Sequence, residues 1–90
     1  MKKAIITVVG KNSFGIIARV STKLAEEKID VLDISQTIVQ GYFNMMMIVN
    51  TDACEKPFAE VGRELEMIGN ELNVQIKCQL EDIFDKMHRI

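Results

Sequence analysis

The sequence predicts an α+β sandwich: a four-stranded antiparallel sheet with two helices packed on one of its faces. Three observations carry this prediction. Apolar residues change period along the chain, from continuous or alternating runs to spacings of three and four and back, in the order strand, helix, strand, strand, helix, strand. Glycine, asparagine and proline fall at the changes of period. At 90 residues the chain has room for one such domain. Two βαβ crossovers in this order generate the split-βαβ, ferredoxin-like arrangement.

The first strand is Lys3 to Val9, a β-branched, largely apolar run that ends at Gly10. Ser13 is placed to cap the helix that follows, its hydroxyl accepting an N–H of the first turn. Ile16, Ile17, Val20, Leu24 and Ala25 then recur on one face, with Arg19, Lys23, Glu26 and Glu27 on the other. From Ile29 to Gln40 the chain is β-branched again. Gly41-Tyr42 separates this run from Phe43 to Asn50, so the two runs form a hairpin.

Pro57 fits the first turn of a second helix, in which Phe58, Val61, Leu65, Ile68 and Leu72 share one face and Asn73 is a left-handed terminator. Gly62 and Gly69 lie inside that helix, where each costs about 1 kcal/mol relative to Ala. Close approach of the helix to the sheet is the expected compensation. Val74, Ile76, Cys78 and Leu80 alternate with polar residues as a half-buried strand. Ile83, Phe84, Met87 and Ile90 share one face of a short tail helix, too short to persist unless docked. The whole chain, 1–90, is thus expected to be one domain, with a core over about 3–81 and an amphipathic tail over 82–90.

Several function classes are disfavoured. No basic stripe offers the footprint that nucleic acid requires. Met1-Lys2-Lys3 followed by Ala4 to Val9 is shorter than a signal-peptide core, and no run approaches the roughly 20 apolar residues that cross a bilayer. A cytoplasmic protein without membrane association is expected. Cys54 and Cys78 form no CxxC pair and His88 is the sole histidine, so no metal site and no cofactor are expected. His88 reads as a surface or interface residue of the tail.

The methionine run raises the question of cover. Met45, Met46, Met47, Ile48 and Val49 are apolar on both faces, as are Ala4, Ile5, Ile6, Val8 and Val9, which predicts burial on both sides. The tail helix or a second subunit is the expected cover, so the chain should be a homo-oligomer, a dimer or larger. An interaction module, docking a regulatory protein through this apolar face and the tail, is the second reading.

The candidate binding site is the loop GKNSFGII, Gly10 to Ile17. Placed between a strand and a helix, it leaves N–H groups around Phe14, Gly15 and Ile16 at the helix start, where a carboxylate or phosphate is favoured. Gly10 allows close backbone approach, and the Asn12 amide both donates and accepts. An amino acid fits this chemistry. A structural reading, a capped turn with a glycine for fit, accounts for the same residues.

The loop together with ARVSTKLAEEKIDVLDISQTIVQGYFNMMMIVN resembles an ACT domain, the small regulatory module of many enzymes of amino-acid metabolism. From Ala4 to about Leu80 the chain is similar to the single-domain bacterial members, which are related to the glycine cleavage system repressor; the ending EDIFDKMHRI is typical of that group. The resemblance implies a non-enzymatic βαββαβ module that dimerises and binds an amino acid at the subunit boundary. It implies ligand contacts at Asn12 and Gly15, with Asp30 offered by the neighbouring subunit; the loop's own chemistry adds Gly10, Ser13, Phe14 and Ile16 to the candidate site. This chain departs from the pattern in three places: Ser13-Phe14 replaces an Arg-Pro pair, Lys28 stands for a glycine, and Gly10 occupies the position of a histidine in some members. VQGYFN, Val39 to Asn44, superficially resembles the phosphate loop of acylphosphatases. It lacks the following arginine and lies in the middle hairpin, so a simple turn is expected there and no catalytic residue is assigned.

Overall fold

Lys3–Lys11 forms β1, the strand from which the rest of the sheet is built, pairing antiparallel with a strand on either side. The structure, a computed structural model, describes residues 2–11 and 14–80. The remaining elements are α1 (Ile16–Glu26), β2 (Asp30–Val39), β3 (Tyr42–Asn50), α2 (Phe58–Leu72) and β4 (Val74–Leu80), in the sheet order β2-β3-β1-β4. This is the ferredoxin-like βαββαβ fold predicted from the sequence. The tail helix expected over 82–90, with His88, lies outside the described residues.

The core forms where the two periods meet. Ala4, Ile6 and Val8 of β1 and Phe43, Met45, Met47 and Val49 of β3 alternate toward the helices and are buried. Ile16, Val20 and Leu24 of α1 and Val61 and Leu65 of α2 close over them. The methionines therefore split by face, with Met45 and Met47 in the core and Met46 41% exposed on the opposite side. Ile17 and Ala25, expected on the buried face of α1, are exposed because that face is narrowed to the every-fourth-residue stripe.

Both helix ends are held by left-handed residues. After α1, the Lys28 N–H donates to the Ala25 carbonyl (3.1 Å) and the Ile29 N–H to the Leu24 carbonyl (2.9 Å). This Schellman pattern needs a positive φ at Lys28, which has φ 59°; it is the conformation that glycine supplies without strain. After α2, Asn73 has φ 58°, as its residue type predicts. Pro57 sits one position earlier than expected, as the N-cap, with φ −58°. The hairpin turn is Gln40-Gly41, both at positive φ, while Tyr42 opens β3 opposite Val39. Such a two-residue turn matches the twist of the strands.

Lys23, Glu27, Lys56 and Glu64 alternate in sign across α1, the segment before α2, and α2, with N···O distances of 2.7 to 3.2 Å. The Lys23 and Lys56 ammonium groups hold the Glu27 and Glu64 carboxyls below the ordinary carboxylate range. Both lysines are shifted upward in turn, chiefly by hydrogen bonding to Glu27.

β2 is the exception to this packing. It is an edge strand, and every one of its residues is exposed, including Val31, Ile34 and Ile38. Ile34 pairs with Met47 and Ile38 with Phe43, so both lie on the helix side of the sheet, where neither helix buries them. A register shift between Val31 and Asp33 adds one residue near the start of the strand.

Candidate functional site

The first strand-to-helix turn is shaped by its glycine. Gly15, with φ 85° and ψ 3°, is the N-cap of α1, and the helix starts at Ile16. The cap expected at Ser13 is thus moved to a residue without a side chain; Ser13 and Asn12 lie outside the described residues. A Cβ on Gly15 would meet nothing within 4 Å. Its requirement is conformational, because a side chain is disfavoured at this φ. The Arg19 N–H donates to the Gly15 carbonyl (2.8 Å), the first helical bond. The preceding N–H groups, at residues 15 to 18, have no partner four residues back in the helix, and no side chain caps them among the described residues.

These groups border a cleft of about 560 Å³. Phe14, Gly15, Ile16, Ile17 and Ala18 line it from the turn, Gln36, Thr37 and Ile38 from β2, and Phe43 from its floor. Phe14 is fully exposed, Ile17 43% and Ile38 58%, whereas Phe43 is 2% exposed. Among the described residues the lining carries no charge, imidazole or thiol. It offers backbone donors at one end, the Gln36 amide on β2, and apolar walls, which suits holding a small anion-bearing molecule.

Of the residues predicted for the site, Phe14, Gly15 and Ile16 come together here. Gly10 does not line the cleft. It lies within β1 between Phe43 and Val74, and a Cβ there would stand 2.8 Å from Val74 Cγ1, so packing beside β4 accounts for it. Asp30 opens β2 at the end remote from Ile38, eight residues or about 26 Å along the strand. Within one chain it is out of reach of the turn. Gln36, Thr37, Ile38 and Phe43 were not found by sequence reasoning. A polar Gln36-Thr37 pair inside an apolar strand was the available signal, but only the sheet order brings it beside Gly15.

A larger groove, about 910 Å³, runs between α2 and the outer edge of β4, walled by Arg63, Glu66 and Lys77 with Cys78 between them. Burial, and secondarily the Glu66 carboxylate, push the Cys78 thiol up to about 12, so it stays protonated at neutral pH and is a poor nucleophile. Among the described residues no cluster of His, Cys, Asp and Glu could hold a metal ion, and no helix is long and apolar enough to cross a membrane. Both depressions adjoin a helix start without a side-chain cap, α2 at Phe58 and Ala59 and α1 at Gly15 and Ile16, but only the smaller includes the loop predicted as the site.

Comparison with known proteins places the sequence and the fold in a family. A family model described as ACT domain matches residues 2–79. A UPF0237 protein of Bifidobacterium longum is 57% identical over 90 residues, covering all of both chains. A solved ACT domain protein from Streptococcus pneumoniae is 47% identical, with a TM-score of 0.80 over 92% of this chain and 93% of that one. The ligand-free regulatory subunit of aspartate kinase from Thermus thermophilus is 26% identical, with a TM-score of 0.67 over 88% of this chain; the chain spans about half of that subunit, 51%.

Proposed function

The chain belongs to the ACT domain family, and on that premise we propose that it is a non-enzymatic, cytoplasmic regulatory protein that binds an amino acid or a related small carboxylate. The observation that carries the reading is the side-chain-free helix start at Gly15, opening onto a cleft bordered by an exposed edge strand. Likeness to a kinase's regulatory subunit supports a regulatory role. Ligand carboxylate oxygens accept from the N–H groups of Gly15 and Ile16 beside Phe14, and Asn12, through its amide, and Ser13, just before them in sequence, are the further partners in this reading.

The ammonium group needs an acceptor, and Asp30 reaches it only from a second chain. An edge strand exposes a row of N–H and C=O groups, and an apolar one favours pairing. Full antiparallel overlap of Asp30–Val39 with a two-fold copy of itself sets Asp30 of the partner subunit opposite Val39, next to the cleft residues Thr37 and Ile38. The functional unit in this reading is a homodimer joined through β2, or a larger assembly containing that dimer.

Calorimetry across the twenty amino acids, with wild type, Asn12→Ala and Gly15→Val, tests the proposal. Loss of one neutral hydrogen bond at Asn12 weakens binding about 2- to 13-fold, and Gly15→Val, at a φ of 85°, weakens it further. Absence of binding by every amino acid, or equal binding by all three proteins, would sink the reading.

A further inference from the structure

The cleft lining restricts the kind of side chain that a bound amino acid carries. We infer that the ligand is an amino acid with an apolar, branched or aromatic side chain, selected by contact with Ile38. The inference rests on the amino-acid-binding reading of the turn.

A carboxylate seated at the Gly15 helix start leaves the ligand's side chain to extend along the cleft, where it meets the walls. Those walls are Phe14 and Ile17 on one side and Ile38 on the other, over a floor of Phe43. Ile38 faces Phe43 across the strand pair, so its side chain is on the cleft side of β2. Phe14, Ile17 and Ile38 are all substantially exposed, and together they present apolar surface that a ligand methyl or ring can cover.

Charged side chains are discriminated against. Among the described residues no charge lines the cleft, and Asp30 of the partner subunit is already engaged by the ligand's ammonium group. A Lys, Arg, Asp or Glu ligand would be desolvated against Ile and Phe without a counter-charge. Among the described lining residues Gln36 carries the one side-chain amide, two residues before Ile38 on the same face of β2 and opposite Met45. It can serve the ligand's α-amino or carboxylate group as readily as a polar side chain. Glycine and serine fit the polar end but leave the walls uncovered. Each methylene that the walls cover tightens binding about 4-fold, so Val, Leu, Ile, Met or Phe should bind at least about 10-fold more tightly than Gly or Ser.

Calorimetric titration of the full chain with Leu, Val, Phe, Ser, Gly, Lys and Glu, repeated on Ile38→Val and Ile38→Thr, tests the inference. Ile38 is 58% exposed and both replacements are β-branched, so the strand is retained. The expected result is tightest binding of an apolar amino acid. Ile38→Val should keep that preference, and Ile38→Thr should reduce it at least about 4-fold while leaving Gly affinity unchanged. If Gly, Ser or a charged amino acid binds most tightly, and Gly15→Val still weakens it, the selectivity argument is overturned while the binding reading stands. If no amino acid binds, both are overturned. An apolar preference untouched by Ile38→Thr removes Ile38 as its source.

Discussion

Gly62 and Gly69 lie in the same helix, seven residues apart, and replacing each by alanine should shift stability in opposite directions. In a helix interior the exchange is worth about 1 kcal/mol in favour of alanine. At Gly62 that gain is available, because a Cβ would rest 3.5 Å from Cys78 Cβ, an ordinary contact. At Gly69 the new atom would lie 2.8 Å from the Val74 carbonyl oxygen and 3.0 Å from Ile76 Cγ1. The carbonyl belongs to the first residue of β4, which is held in register with Gly10 of β1, so it cannot yield without displacing the strand. Overpacking of this kind costs about 1–3 kcal/mol. Gly62→Ala should therefore stabilise by up to about 1 kcal/mol, and Gly69→Ala should be neutral to about 2 kcal/mol destabilising. The propensity gain is common to both, so their difference, about 1–3 kcal/mol, isolates the steric contact. Urea unfolding followed by far-UV circular dichroism, at one fixed protein concentration, measures it. Equal stability of the two variants would refute the claim that α2 approaches β4 closely only at its C-terminal end.

Met47→Ala should cost about 2–5 kcal/mol and Met46→Ala under about 1 kcal/mol in the same assay, since Met47 is 2% exposed and Met46 41%; comparable losses would mean that the sheet's second face is as well covered as its first. Lys28→Gly should raise the midpoint by up to about 1 kcal/mol equivalent, because it relieves the strain of φ 59° while keeping the Schellman bonds. Glu27 and Glu64 titrate below their ordinary value of 4.5 in the folded chain, so their contribution is present above that pH and is lost as pH falls through the lowered values. Lys23 and Lys56 are raised above 10.5, so theirs is complete below that pH and is lost only as pH rises through the higher values. Stability profiles should thus fall on the acid side, and Glu27→Gln should flatten that limb; an unchanged profile would show that the network is energetically silent.

Local order was legible in the residues themselves. The spacing of Val61, Leu65, Ile68 and Leu72, the alternation from Val74 to Leu80 and the terminator Asn73 are relations between residues two to four positions apart, which a linear chain states directly. The βαββαβ order followed, as did the position of the Gly15 turn between a strand and a helix. The positive φ of Lys28 was of another kind: there the hydrogen bonding of a helix end dictated the backbone, and residue preference gave way. What only the tertiary structure decided involves residues far apart in sequence. The order β2-β3-β1-β4 leaves β2 at an edge with its apolar residues exposed, although as a sequence it reads much like the buried β1. The same order carries Ile38 and Phe43 to Gly15 and puts Asp30 at the far end of the strand. Gly10 and Gly69 are needed for the approach of Val74, a neighbour that periodicity cannot identify. Side-chain pattern specifies which face of an element is apolar, but the distance between elements, and which strand is left without a neighbour, are set by packing the whole chain at once.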